Sequence, residues 1–193
     1  KKFLMLTSVL AISSLFSPSA LSQEISYDNV SGSYIRMNIE DAGSFEPTGF
    51  SLSGSRLLND NVFIAASYTT IGDELEFCYG SCAKIDLTQN HLQLGIGYRY
   101  ALNDTIDAYA SVSYLNVEVE ASAFGESESE DENGHAINIG LRTMLSPQLE
   151  INGGITSTTI DGESETGFGA GFSYYINANV SLGLTYSSAD DVN

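Results

Sequence analysis

Residues His91–Tyr114 read HLQLGIGYRYALNDTIDAYASVSY, and their spacing decides the fold. Leu92, Leu94, Ile96, Tyr98, Tyr100 and Leu102 take every second position, with Gln93, Gly95, Gly97, Arg99 and Ala101 between them. After Asn103-Asp104 the alternation resumes, with Ile106, Ala108, Ala110, Val112 and Tyr114 set against Asp107, Tyr109, Ser111 and Ser113. Successive side chains of a strand point to opposite faces, so each run has one apolar face and one small or polar face. The polar step between the runs predicts a hairpin turn. The apolar face carries no charge, while the other holds Arg99, Asp107, glycines and serines. That is the pattern of a wall with lipid outside and a polar lumen inside. A soluble barrel or sandwich, with water on the polar face, is the competing reading.

Period-two runs recur along the chain: Tyr27–Ile39, Gly49–Leu58, Val62–Thr70, the central hairpin, and runs around Ile139, Ile151, Phe172 and Leu184. Four connections are short: Asn59-Asp60-Asn61, Asn103-Asp104, Ser146-Pro147-Gln148 and Asn177-Ala178-Asn179. The intervening ones are longer and mostly acidic: Glu40–Glu46, Gly72–Lys84, Phe124–Gly134 and Asp161–Glu165. Short turns on one side and long loops on the other mark an outer-membrane barrel, with the short turns in the periplasm. The fold class is therefore all-β, an antiparallel up-and-down transmembrane β-barrel. Nine strands can be counted, whereas single-chain bacterial barrels have even numbers. The expectation is ten strands in the native protein with nine present here, the last being cut off. A barrel of eight, with the first run outside the wall, is the alternative.

The chain has 193 residues, enough for one domain. It begins KKFLMLTSVLAISSLFSPSALSQE: a basic start, an apolar stretch Phe3–Phe16, and the small-x-small step Ala20-Leu21-Ser22. Residues 1–22 read as a signal peptide, cleaved before Gln23, and 23–193 as the barrel. A membrane anchor fits less well, because the apolar stretch is short and broken by serines. The formal charge is −18. A chain this acidic repels nucleic acid. No later run is long enough for a membrane helix, so crossing requires a closed barrel.

These features resemble the small proteobacterial outer-membrane β-barrel family, specifically the ten-stranded group related to activators of plant immunity. The likeness is carried by Ile25-Ser26-Tyr27 with Gly32-Ser33-Tyr34, by SLSGSRLLNDNVFIAASY, by LQLGIGYRYALNDTIDAYASVSY and by FGAGFSYYINANVSLGLTY. OmpA and OmpX type barrels are the broader likeness. The resemblance implies an outer-membrane location in a Gram-negative bacterium and carries over no catalytic residues. Cys78 and Cys82 are departures from it.

Five charged residues form the candidate lumen network. Arg56, Arg99 and Arg142 are assigned to the inward phase near short turns. Asp107 and Glu150 stand across those turns from Arg99 and Arg142, so each pair faces or lies diagonal. Such pairs fill a narrow interior; a charge-selective constriction is the functional alternative. Cys78 and Cys82, in an exported chain, suggest a disulfide worth at most about 3 kcal/mol. A redox or metal site there lacks a nearby His or second Cys pair. Glu126, Glu128, Glu130, Asp131 and Glu132 make an acidic loop. A solvated, disordered loop is weighed against a site for divalent cations or a bridge to lipopolysaccharide phosphates. His91 is on the inward phase, but no nucleophile motif accompanies it, and no cofactor is expected. Three functions follow. The first is a monomeric structural or surface-interaction protein, in contact with outer-membrane lipid and lipopolysaccharide. The second is a narrow channel for small solutes, and the third an enzyme acting on lipid.

Overall fold

The computed structural model describes residues 2–3, 11–14, 25–37, 46–79, 81–124, 126–177 and 180–191. Its strands are β1 (Lys2–Phe3), β2 (Ala11–Ser14), β3 (Asn29–Arg36), β4 (Thr48–Leu57), β5 (Val62–Tyr79) and β6 (Ser81–Asn103), then β7 (Ile106–Ala123), β8 (Glu126–Ser146), β9 (Leu149–Ile160), β10 (Glu163–Asn177) and β11 (Val180–Asp191). From β3 to β11 each strand pairs antiparallel with the next. The polar steps between apolar runs are short enough to allow only adjacent strands to meet.

The nine long strands match the nine runs of the sequence, and β3 lies in the wall, which removes the eight-stranded reading. Beside them lie two short strands from the segment read as a leader. β2 pairs with β11 through Val180↔Ser14 and Leu182↔Ile12, and with β3 through Ile12↔Gly32. β1 pairs with β11 nearer its other end, through Lys2↔Asp190. Among the described residues, β1 and β2 thus bridge part of the distance between β11 and β3.

The outward face is apolar from strand to strand. Phe50, Leu52, Ile96, Val112, Ile139, Ile155, Phe172 and Leu184 are exposed, Phe50 by 66% and Ile139 by 62%. A soluble protein rarely leaves so continuous an apolar surface bare, and in a bilayer it meets acyl chains. Exposed tyrosines mark both rims of this band. Tyr98, Tyr100 and Tyr174 lie by the short turns, and Tyr34, Tyr68 and Tyr114 toward the other end. Aromatic girdles of this kind sit at the two interfaces. Among the described residues no helix is long and apolar enough to cross a membrane.

The long connections differ from the sequence expectation. A membrane crossing takes about 9–11 residues per strand, yet β6 runs for 23. The stretch 72–84 continues the β5–β6 ladder as far as Tyr79↔Ser81. The stretch 124–134 continues the β7–β8 ladder, which closes at Ala123↔Glu126. Phe124 adopts a positive φ of 55° at that tip. The last connection shrinks to a turn at Asp161 and Gly162, both with positive φ. The Asp-Gly pair is what such a tight hairpin requires. β5 to β8 therefore rise beyond the band as a four-stranded extension. Backbone pairing, which no composition count registers, converts expected loops into sheet. The Glu40–Glu46 connection lies largely outside the described residues.

Candidate functional site

The lumen floor is built by inward side chains of five consecutive strands. The order is Arg99 (β6), Asp107 (β7), Arg142 (β8), Glu150 (β9) and Tyr175 (β10). In register Ala101 faces Asp107, so Arg99 meets Asp107 on the diagonal, and Asp107 itself lies opposite Arg142. Met144 faces Glu150, so the Arg142 to Glu150 contact is diagonal as well. Charge alternates along the row and sums to zero across the four ionised residues.

The two ion pairs differ in quality. Arg142 donates from Nε to Glu150 Oε1 at 2.7 Å and from Nη2 to Oε2 at 3.1 Å. The Tyr175 hydroxyl donates to the same Oε2 at 2.7 Å. Arg99 Nε and Asp107 Oδ2 are 3.3 Å apart, but neither atom makes an aligned hydrogen bond. Glu150 and Asp107 are buried, at 2% and 3% exposure. Taking an isolated carboxylate out of water costs several kcal/mol, so these two are tolerable only beside their guanidinium groups.

Tyr27 closes the floor. It precedes β3 and turns into the lumen, where it is buried beside Ile25, Phe63 and Met144. Arg142 Cζ lies 4.5 Å from the Tyr27 ring centroid and Arg99 Cζ 5.4 Å. Phe63 packs on the ring at 4.9 Å between centroids. Cations within about 6 Å of an aromatic face are attracted by its quadrupole. The backbone is also tied down: Ser55 Oγ donates to the Tyr27 carbonyl at 2.6 Å, and Leu57 N donates to Asp28 Oδ1 at 2.7 Å.

Glycines make room for the aromatic rings. Phe63 faces Gly97, where an added Cβ would stand 2.2 Å from the ring. Tyr109 faces Gly140, where a Cβ would stand 2.6 Å from the ring, and reaches over Gly154 on the next strand. Open space adjoins the floor, and beyond it the lumen is lined by small polar groups. One cavity of about 210 Å³ touches Ser26, Asn29, Tyr109 and the floor residues Arg142, Glu150 and Tyr175. Another of about 270 Å³ touches Asn29, Ser53, Ser55, Ser67, Gln93 and Ser113.

Arg56 is not part of this network. It continues the outward phase of Phe50 and Leu52 on β4 and is exposed, whereas the neighbouring Leu57 turns inward against the Tyr27 cluster. The assignment of Arg56 to the lumen is corrected by its own strand parity. At the short-turn end its guanidinium can reach interfacial headgroups while its stem lies on the apolar band.

The acidic residues do not converge either. Glu126, Glu128, Glu130 and Glu132 share one face of the β7–β8 extension, opposite Ala123, Ala121, Val119 and Val117. Asp131 points to the other face, opposite Glu118. Same-face neighbours along a strand are about 6.6–7 Å apart, which spreads the carboxylates out. Among the described residues no three His, Cys, Asp or Glu side chains are placed to hold a metal ion. The stretch is an ordered acidic strand rather than a loop or a cation cradle. Cys78 stands opposite Cys82 in the backbone register, and their side chains lie outside the described ones. His91 contacts Gln89, Nε2 to Nε2, at 3.1 Å.

Tyr27, Phe63, Tyr109 and Tyr175 were not singled out from the sequence. For Phe63, Tyr109 and Tyr175 a signal was available: each is a large aromatic residue on the phase otherwise held by small or polar ones.

A family model described as outer membrane protein beta-barrel domain matches residues 7–175. No curated protein sequence matches the chain. Among solved structures, Ail, the attachment invasion locus protein of Yersinia pestis, is similar at 16% identity and TM-score 0.46, over 96% of this chain and 99% of that one. The N-terminal β-barrel domain of Pseudomonas aeruginosa OprF is similar at 13% identity and TM-score 0.39, over 96% and 99%.

Proposed function

The chain belongs to the outer membrane protein beta-barrel domain family, and from that premise we propose that it is a closed-lumen barrel that works through its outer extension. It resides in the outer membrane of a Gram-negative bacterium. One observation carries the reading: the ion-paired floor is filled by Tyr27 and Phe63, while β5 to β8 stand free beyond the lipid band. In this reading the filled floor interrupts the aqueous path through the lumen. The extension carries Glu118, Glu120 and the β8 carboxylates, and its charge favours partners of opposite sign. In this reading the wall meets outer-membrane lipid and lipopolysaccharide, and the protein acts as a monomer.

The test compares cells displaying the full chain with cells displaying a chain whose β5–β6 and β7–β8 hairpins are shortened. Adhesion is measured on positively charged, neutral and negatively charged surfaces. A preference for positive surfaces that disappears on shortening is expected. Equal adhesion by both would overturn the proposal.

A further inference from the structure

The floor is not made by the wall alone, and this points to a second activity. Arg99, Asp107, Arg142 and Glu150 sit on strands of the barrel, but the group that lies across them, Tyr27, comes from outside the ladder. Ser26 of the same segment lines the 210 Å³ cavity, and Asn29, where β3 begins, lines both cavities. The open space of the lumen therefore reaches down to the segment Ile25–Asp28. What fills the gap beneath it is one aromatic ring held between two guanidinium groups and Phe63.

We propose that Ile25–Asp28 is a latch, and that its withdrawal opens a passage for small polar solutes through the barrel. The segment is held by two hydrogen bonds from β4, at Ser55 and Leu57, by the contacts of the Tyr27 ring with Arg99, Arg142 and Phe63, and by the burial of Ile25 in the same cluster; none of these is a ladder pairing or an ion pair. The Tyr27 hydroxyl, though buried, makes no hydrogen bond that would fix it further. Withdrawal leaves Arg142 on Glu150 and Arg99 beside Asp107, so no wall charge loses its partner. Because the belt sums to zero and the cavities are lined mostly by serine, asparagine and glutamine, the open passage discriminates weakly between cations and anions. The inference rests on the closed-lumen reading above.

The test is single-channel recording of the full chain in planar bilayers, beside Tyr27→Ala and Tyr27→Phe. Heat-modified gel mobility verifies that each variant is folded. The parent and Tyr27→Phe are expected to stay silent, since both keep the ring. Folded Tyr27→Ala is expected to give steady openings of weak ion selectivity. Silence of folded Tyr27→Ala overturns the latch and leaves the closed-lumen reading standing. Steady openings of Tyr27→Phe also overturn the latch. Steady openings of the parent overturn the closed-lumen reading itself. Should Tyr27→Ala fail to fold, Ser55→Ala with Asp28→Ala loosens the same segment without removing the ring. A rise in brief openings is then expected, and unbroken silence overturns the latch.

Discussion

Arg142 holds Glu150 through two parallel hydrogen bonds, at 2.7 and 3.1 Å, in a pocket where the carboxylate is almost wholly buried. Removing one partner of such a pair strands the other charge and costs about 3–5 kcal/mol. Arg142→Ala should lose that much, read as a lower urea midpoint for the refolded barrel in lipid vesicles. Arg142→Met combined with Glu150→Leu should lose clearly less, because no charge is left behind. A double variant as unstable as the single one would mean that packing, not charge, sets the stability of the floor.

Arg56 provides the contrast. It is an arginine by a short turn like the other two, but it faces outward. Arg56→Gln should change stability by no more than about 0.5 kcal/mol, as is usual for surface positions. A loss comparable to Arg142→Ala in the same urea titration would refute the outward placement.

The glycine sockets give a graded series. Gly97→Ala and Gly140→Ala drive a methyl group into Phe63 and Tyr109, and overpacking of this kind costs about 1–3 kcal/mol. Gly32 has nothing within 4 Å of an added Cβ and should accept alanine without loss. Adding Phe63→Leu should recover part of the cost of Gly97→Ala, and a double-mutant cycle on unfolding midpoints measures the coupling. Strict additivity would show that the ring and the glycine do not share the space.

Cys78 and Cys82 face each other across the β5–β6 ladder. Directly opposite residues of an antiparallel pair have Cα atoms about 4.5–5.5 Å apart, within the range a disulfide spans. The exported protein should resist alkylation until reduced, as mass spectrometry of the modified chain would show. Cys78→Ser should loosen the tip of the extension while leaving the unfolding midpoint of the barrel unchanged. Ready alkylation without reductant would exclude the bridge.

Much of the wall was legible because barrel strands obey the simplest periodicity. The alternation from Leu92 to Leu102 named the lipid face, and the eight-residue steps from Arg99 to Asp107 and from Arg142 to Glu150 named the partners, leaving facing or diagonal placement to the register. Arg56 went astray where turn proximity was allowed to outweigh parity, although Phe50 and Leu52 had already fixed the phase. The extension was hidden for another reason. Acidic and serine-rich residues score as loop by composition, yet a ladder begun in the membrane can be carried outward by backbone hydrogen bonds alone. Tyr27 was hidden because nothing local says that β3 begins at Asn29, or that the residues before it fold back into the lumen.

The row of glutamates along β8 bears on life in a crowded membrane. From Glu132 outward, one edge of β8 has no neighbouring strand among the described residues. Where many copies stand side by side, a bare strand edge invites the next molecule to add on and propagate a stack. A carboxylate at every second position makes that encounter repulsive between identical copies. The same charge would favour a neighbour of opposite sign over a second copy of the chain at that edge.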